Sequence, residues 1–381
     1  MEYLVSSSDR AAFKRCRRQW DFTAATRRSL RPVRAPAPDL DRAMRDALAV
    51  YYFPGMWDWD SAIVLPLVAK GLDNAVARQR AEHDGAVPSS ADETVWEALR
   101  EQGRALLDRY VDWAPTVDRF SPIRVATDFD ALVADPAEPE CGLVGPHGPA
   151  IHYIGRIDLL AIDEHDRYWI VRHRVSDRPF PRTEQLLLDE EEVAACWAWE
   201  RFYEGMEVAG TIYNELSTSD PRAGSPRRPV PRPLVDHPRG GIPQNEPSGG
   251  GRGVSSLRRT YVKGREEESV DRVRQTQGDG FRRTIIRRSR REVGEAGGRI
   301  ADEAIDMVRE DIRPYPNPVA EHCAECAFVT PCLTANEGCD VESILSQHYR
   351  RRPATELEVG RLGGSPSGVG RGWVPPPRGD P

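Results

Sequence analysis

Lysine is almost absent from this chain, which limits the chemistry that we expect of it. Among 53 basic residues the lysines are Lys14, Lys70 and Lys263, so arginine carries nearly all of the positive charge. Arginine stays protonated at physiological pH and cannot act as a general base. The sequence therefore excludes a catalytic lysine anywhere between Lys70 and Lys263.

Long apolar segments are absent as well. No stretch is long enough to span a bilayer, and the N-terminal residues MEYLVSSSDR contain no apolar signal segment. We therefore expect a cytoplasmic protein with no membrane partner, in which the seven cysteines are ligands or buried residues rather than disulfides. The net charge of −7 excludes a globally basic nucleic-acid binder, although it allows a local basic surface.

The cysteines are distributed unevenly. Cys16 lies in the segment SSSDRAAFKRCRRQW, where we expect Ser8 to cap a short helix whose one face carries Phe13, Cys16 and Trp20. More than three hundred residues later, PNPVAEHCAECAFVTPC carries three cysteines: Cys323, Cys326 and Cys332. A cluster held by both segments would tie the two ends of the fold together.

Between these segments the hydrophobic period changes from helical to strand-like. Residues 36–117 read as a helical elaboration, followed by three strands, a helix and a fourth strand that ends near residue 216. Residues 217–256 are rich in Pro, Gly, Ser and Arg, and we interpret them as a disordered insertion, as we do the tail 353–381. The expected fold is one α/β domain with a small mixed sheet, formed by 1–216 and 257–352, with a metal-cluster segment at 318–340.

These segments resemble the RecB-type branch of the PD-(D/E)XK nuclease superfamily, which includes the CRISPR-adaptation exonucleases and the AddB nuclease domain. The resemblance rests on the N-terminal Ser, aromatic, Cys and basic pattern, on the spacing of the three late cysteines, and on a GxxD strand motif. That motif reads Gly155, Arg156, Ile157, Asp158 here. The resemblance implies a restriction-endonuclease-like core, DNA as a partner, a possible helicase or nuclease partner subunit, and a 4Fe-4S cluster. Its ligands would be Cys16, Cys323, Cys326 and Cys332.

The catalytic positions of that family are altered in this sequence. Arg172 replaces the second metal-binding acid and Arg174 replaces the catalytic lysine, while Arg45 stands where an early-helix histidine is common. In place of a Gln-x-x-x-Tyr pair this chain has Glu192 and Cys196. Mg²⁺ or Mn²⁺ needs several carboxylate oxygens, and arginine repels it. We therefore expect a bidentate ion pair between Asp158 and Arg172 or Arg174, with no metal, in a cationic groove that binds phosphate without cutting it.

The leading hypothesis is thus a catalytically degenerate nuclease-family protein that binds DNA in repair, recombination or defence. Its candidate nucleic-acid contacts are Arg17, Arg18, Arg172, Arg174, Arg287 and Arg288. A solvated, structurally neutral arginine face is the simpler interpretation of the same residues.

Three alternatives stay open. The late cysteines could form a local zinc site with Cys339, and His322 is a further possible ligand. An active nuclease that uses Mg²⁺ or Mn²⁺ would need acids from elsewhere to complete the site around Asp158. A protein-interaction module with a structural metal would need neither DNA nor catalysis.

Overall fold

The computed structural model describes residues 2–33, 38–82, 90–146, 148–219 and 272–352. It is a mixed α/β structure built around a seven-stranded mixed sheet, which confirms the expected fold class at that level. Most of the predicted insertion (220–256 of 217–256) and the whole tail 353–381 lie outside the described residues. Ser217, where the insertion was expected to begin, is instead the last residue of a strand.

The main sheet contains strands from both halves of the chain. They are β1 (Tyr3–Ser6), β3 (Phe120–Leu132), β4 (Ile151–Asp163), β5 (Tyr168–Ser176), β6 (Val208–Ser217), β7 (Val273–Gly278) and β8 (Phe281–Arg287). The order is β1-β4-β5-β6-β8-β7, with β3 antiparallel to β4 on its other edge. β1 and β5 share one edge of β4, because β1 pairs with its first four residues and β5 with a later part.

The pairing of β5 with β6 is parallel, and the others around them are antiparallel. A parallel pair needs a crossover, which α6 (Thr183–Leu187) and α7 (Glu190–Phe202) supply. β7 and β8 form a hairpin in which Gly280 takes a φ of 82°, a conformation that glycine adopts without steric cost. Sequence periodicity missed β1 and β7 because one is very short and the other, VRQTQG, has little apolar alternation.

Helices cover both faces of the sheet. On one face lie α3 (Leu40–Tyr51), α4 (Ser61–Glu82) and α5 (Ser90–Val117), with a 3₁₀ turn at Pro54–Met56 between α3 and α4. These helices bury a core that includes Leu48, Leu72 and Tyr110. On the other face, α7 packs against α8 (Arg290–Val308) and buries Trp197, Trp199 and Ile300. None of the helices in the described ranges has both the length and the apolar composition of a membrane span.

The two ends of the described chain meet beside this core. The early elements are α1 (Ser7–Arg15), α2 (Arg17–Thr23) and β2 (Leu30–Pro32), and the late ones are α9 (Ala320–Ala324), α10 (Val329–Asn336), α11 (Val341–His348) and β9 (Tyr349–Arg351). β2 pairs antiparallel with β9. Phe328 stacks between Phe22 and Tyr349, with ring centroids 5.3 and 4.8 Å apart. This packing joins the chain ends through apolar contacts.

The N-terminal helix differs from the expectation in two ways. Ser6 rather than Ser8 caps α1, because its hydroxyl accepts from the backbone amide of Asp9 while the Asp9 carboxylate accepts from the amide of Ser6. The expected continuous helix breaks at Cys16, whose φ of −161° and ψ of 109° are extended. Phe13 and Trp20 are both buried in edge-to-face contact, while the Cys16 side chain is only half-buried at the break.

Candidate functional site

Strand β5 presents alternate side chains to the two faces of the sheet. Arg172 and Arg174 face α7, whereas His173 faces α3 and stacks on Tyr52 with ring centroids 5.5 Å apart. This alternation is the one expected from the two-residue period of a strand. The two arginines therefore belong to a different environment from the histidine between them.

Asp158 is buried, with 8% of its surface exposed. Its Oδ2 accepts a hydrogen bond of 2.9 Å from the backbone amide of His173. Its Oδ1 lies 3.7 Å from Nη1 of Arg172 and 3.9 Å from Nη1 of Arg45. These spacings make two loose ion pairs rather than the bidentate pair that the sequence predicted. The structure thus brings together three of the residues singled out by the sequence.

Arg172 is surrounded by carboxylates. Its Nε lies 3.3 Å from Glu192 Oε1, and its Nη2 lies 3.6 Å from Glu191 Oε1. Burial opposes the charged form of the guanidinium, but Asp158, Glu192 and Glu191 outweigh that effect and raise the pKa of Arg172. Arg172 is therefore a fixed positive charge beside Asp158.

The other two arginines have carboxylate partners of their own. Arg174 pairs with Asp189 and lies over the Tyr213 ring, 5.0 Å from its centroid. Arg45 Nη2 lies 3.0 Å from Asp41 Oδ2, one helical turn earlier in α3. Arg174 consequently forms its ion pair with Asp189 and not with Asp158. Of the two pairings expected for Asp158, the structure forms the one with Arg172.

Carboxylates outnumber guanidiniums in this network. Arg45, Arg172 and Arg174 meet five acids: Asp41, Asp158, Asp189, Glu191 and Glu192. The expected cationic groove is therefore absent from this part of the described structure, because helices α3 and α7 supply acids that neutralise the strand arginines. Neither Asp41 nor Asp189 was predicted to pair with these arginines; their only local signal is their closeness in sequence to Arg45 and to the start of α7.

Glu192 is the most perturbed acid of the network. Only 3% of its surface is exposed, and burial raises the pKa of its carboxyl to about 7, with Arg172 acting in the opposite direction. A group with such a pKa changes charge near neutrality. Among the residues that the structure describes, however, no group of three or more His, Cys, Asp or Glu side chains is arranged to hold a metal ion.

A second buried polar network lies on the opposite face of β5. Asn214 Nδ2 lies 2.8 Å from His173 Nδ1 and 2.7 Å from the Tyr110 hydroxyl. Arg283 donates to Asn214 Oδ1 and to the Tyr110 hydroxyl, both at 3.2 Å, and pairs with Asp118. Burial lowers the pKa of His173 well below its usual range, and Arg283 acts in the same direction. This network fixes the helical layer to the sheet, and it was not foreseen from the sequence.

The break at Cys16 turns its thiol toward the C-terminal segment. The backbone amide of Asn317 lies 3.5 Å from Cys16 Sγ, and Asn317 Nδ2 donates to the carbonyl of Arg15 at 3.0 Å. Arg18 reaches the same region, donating to the Cys332 carbonyl oxygen at 3.1 Å and lying 3.6 Å from Cys332 Sγ. Two polar donors thus point at cysteine sulfurs from opposite ends of the chain.

Cys326 lies close enough to three other cysteines to be influenced by their charges. Burial raises the pKa of its thiol, and the charges of Cys16, Cys323 and Cys332 raise it further. Cys339 is exposed, and its Sγ lies 3.9 Å from the Glu337 carbonyl oxygen. Of the remaining cysteines, Cys196 is buried and Cys141 is exposed. Cys16, Cys323 and Cys332 therefore lie close enough to Cys326 to influence its thiol, although in the described ranges no three Cys, His, Asp or Glu side chains are arranged to hold a metal ion.

The arginines predicted to contact nucleic acid differ in their burial and in their partners within the fold. Arg17 lies over the rings of Phe13 and Tyr315, and Arg18 is bonded to Asn336 as well as to Cys332. Arg288 is completely buried and donates to the carbonyl oxygens of Leu186 and Leu187 and to Tyr213. Arg287, its neighbour on the opposite face of β8, is the member of the six-residue set with an exposed side chain.

Comparison with known proteins adds no relative. No family model matches this chain, and no curated protein that was compared is significantly similar to it.

Proposed function

We propose that this protein is a catalytically degenerate RecB-like PD-(D/E)XK protein that binds DNA and whose chain ends are joined by a 4Fe-4S cluster. The observation that carries the proposal is the position of Cys16, which meets the segment of Cys323, Cys326 and Cys332 across a separation of about three hundred residues. The family pattern requires that meeting, whereas a local zinc site would not.

The cysteine neighbourhood fits a cluster chemically. Thiolate ligands of iron–sulfur clusters are stabilised by hydrogen bonds to sulfur and by partial burial, and both are present at Cys16 and Cys332. The ligands would be Cys16, Cys323, Cys326 and Cys332. A cluster bound there would supply a covalent link between the N-terminal and C-terminal segments, adding to the Phe328 packing.

The cluster is tested by comparing two cysteine variants. Anaerobically purified protein is expected to contain iron and acid-labile sulfide and to absorb broadly in the visible region. Cys16→Ser should remove most of the iron, whereas Cys339→Ser should leave it unchanged. Zinc in place of iron, lost in the Cys339→Ser variant and retained in Cys16→Ser, would refute the cluster and establish the local zinc site.

Loss of catalysis is supported by the guanidiniums around Asp158. Arg172 and Arg45 lie within 4 Å of the one family acid that this chain keeps. Two fixed positive charges at that distance repel a divalent cation, and neither can accept a proton from water. The buried Glu192 adds a carboxylate, but it is already shared with Arg172.

An activity and binding assay tests this part. Labelled single-stranded and double-stranded DNA would be incubated with the protein and Mg²⁺ or Mn²⁺, beside an Asp158→Ala variant. We expect binding without cutting, with an affinity that falls as salt rises. Metal-dependent cleavage that disappears in Asp158→Ala would overturn the assignment of a degenerate site.

A protein-interaction module is the second candidate. It is favoured by the engagement of the candidate DNA-contacting arginines in contacts within the fold. The acid surplus around Arg172 also suits phosphate poorly. Absence of DNA binding at low salt, in protein that retains its cluster, would establish this candidate over the first.

A further inference from the structure

A cavity of about 240 Å³ lies away from Asp158, at the end of the sheet where β5 begins. Its wall is formed by the end of α5, the turn from β4 to β5, and strands β6 to β8. Trp169 of β5 and Arg167 of the preceding turn lie there, whereas Arg172 and Arg174 lie nearer the other end of that strand and face α7. The cavity is therefore separate from the network around Asp158, although Arg283 of the second buried network lines it.

Arginine dominates the polar wall of this cavity. Six arginines line it: Arg119, Arg167, Arg272, Arg274, Arg283 and Arg287. The carboxylates in the wall are Asp163 and Glu164. In the described part of the chain, the wall thus has an excess of positive charge, although the protein as a whole has a net charge of −7.

Three of these arginines are neutralised by nearby acids. Arg167 pairs with Asp163 at 2.7 Å, Arg272 pairs with Glu292 at 2.6 Å, and Arg283 pairs with Asp118. Their positive charges are therefore compensated by carboxylates of the same chain.

Arg119 and Arg274 differ from those three. Arg119 donates to the carbonyl oxygens of Asp118 and Thr116, and neither Arg119 nor Arg274 forms an ion pair with a carboxylate that the structure describes. Both side chains are exposed. Two guanidiniums at one cavity, without acid partners, are the arrangement that binds phosphate oxygens in proteins.

The rest of the wall is apolar and partly aromatic. Phe120, Trp169, Ile212 and Ile285 line it beside the arginines. Binding sites for small ligands combine such apolar surface with a few polar groups that fix orientation, and typical volumes begin at roughly 300 Å³. A cavity slightly below that size suits a single nucleotide unit rather than a longer segment.

We propose that this cavity binds one phosphate-bearing nucleotide unit, with Arg119 and Arg274 on the phosphate and the apolar wall against the base or sugar. The unit is either a free nucleoside monophosphate or the terminal nucleotide of a strand, since both present the same groups. The proposal rests on this cavity and does not depend on the function proposed above.

Calorimetric titration of the full-length protein tests it. The probes are adenosine 5′-monophosphate, adenosine, inorganic phosphate and a 5′-phosphorylated tetranucleotide. We expect the monophosphate to bind about tenfold or more tightly than adenosine or phosphate alone, since both parts of the ligand contribute. Arg119→Ala and Arg274→Ala should each weaken binding about tenfold. Arg291→Ala, at an 87% exposed side chain paired with Glu295, is the matched control and should have no effect.

The source of the ligand is read from the same titrations. Tighter binding of the tetranucleotide, weakened by the same two substitutions, identifies a strand end; tighter binding of the monophosphate identifies a free nucleotide. No binding of either probe overturns the proposal. Equal affinity for phosphate and the monophosphate, or binding that survives both arginine substitutions, overturns it as well.

Discussion

At the scale of single residues, Arg172 influences the ionisation of the acids around Asp158. Glu192 is buried by α7 against the sheet and shares Arg172 with Glu191 and Asp158. One guanidinium divided among three carboxylates does not fully compensate the burial of Glu192, so its pKa is raised. Because Arg172 is shared among three carboxylates, Glu192 has a raised pKa although it lies next to a fixed positive charge.

Glu192 should therefore make stability depend on pH. Its pKa is 4.5 in the unfolded chain and about 7 in the fold, so between those values the unfolded state releases a proton that the folded state keeps. The contribution of Glu192 to the free energy of unfolding is therefore fully present below pH 4.5 and is lost as pH rises toward 7. Glu192→Gln should match the wild type near pH 5 and exceed its unfolding free energy near pH 8 by roughly 1–3 kcal/mol.

Denaturant unfolding at the two pH values measures this difference. Glu191→Gln is the matched control, because Glu191 precedes Glu192 in α7 and contacts the same arginine with a side chain that is 48% exposed. It should show little pH dependence of its effect. Equal destabilisation by Glu192→Gln at both pH values would mean that Glu192 is ionised throughout.

The buried pair of Arg283 and Asp118 provides a second prediction at this scale. Their side chains are 3% and 4% exposed. Arg283→Met removes the guanidinium and leaves the Asp118 carboxylate buried without its charged partner, so we expect a loss of about 3–5 kcal/mol in unfolding free energy. Arg287→Met, four residues later on the same strand and exposed, should change stability by less than about 0.5 kcal/mol. Thermal or denaturant unfolding compares the two variants.

A double variant tests the cause of that loss. Arg283→Met combined with Asp118→Asn removes both charges, and it should recover part of the stability lost in the single variant. No recovery would show that packing or the contacts to Tyr110 and Asn214, rather than an uncompensated charge, account for the loss.

At the scale of elements, the approach of β6 to β8 depends on a glycine. Gly210 has a φ of 153° at a register shift in the β5–β6 pairing, and a Cβ there would overlap the carbonyl oxygen of Ile286 on β8. The conflicting atom belongs to the backbone of a central strand, so it cannot move away. The glycine therefore determines how closely the two strands pair.

Gly210→Ala should consequently cost about 2–5 kcal/mol, the sum of backbone strain and steric overlap. Gly205→Ala is the matched control, because Gly205 also has a positive φ, of 82°, but nothing lies within 4 Å of its added Cβ. That variant should lose only about 1–2 kcal/mol from strain alone. Denaturant unfolding measures both losses. Similar losses in the two variants would show that steric overlap does not contribute to the effect of Gly210→Ala.

The glycine of the GxxD motif also has a structural reason. Gly155 pairs with Phe129 across β3 and β4, and the Phe129 ring lies over the position that a Cβ would occupy. This part of the motif is explained by packing whether or not Asp158 binds a metal.

At the scale of the whole molecule, closure of the chain depends on the contact between its two ends. Phe328 is 3% exposed and stacks with both Phe22 and Tyr349 in a small core separate from the two large ones. A separate core of this size can open without unfolding the sheet.

Phe328→Ala should therefore destabilise the C-terminal segment by about 3–5 kcal/mol while leaving the sheet intact. Hydrogen exchange should show lost protection in α10, α11 and β9 and unchanged protection in β4 to β6. Leu333→Ala, at a side chain that is 55% exposed on α10, is the control and should leave both regions protected. Loss of protection throughout the sheet would show that the two cores unfold as one unit.

Local sequence patterns predicted the α/β class, strands β3 to β6 and β8, helices α7 and α8 to within a few residues, and the positions of the cysteine segments. Strand and helix periods are local properties, so buried alternation in HYIGRIDLLAID or DRYWIVRHRVS is visible without a structure. The face of each β5 residue followed from the same local rule.

Which charged side chains lie next to each other depends on the tertiary structure. Asp189 at the start of α7 pairs with Arg174 of β5, and Cys16 faces Asn317 from the other end of the chain. These contacts depend on packing between separate elements, whereas Asp41 and Arg45 lie one turn apart in α3. The sequence showed a lone acid among arginines, whereas packing surrounded those arginines with acids. Electrostatic environment is set by distances in space, which a local pattern does not contain.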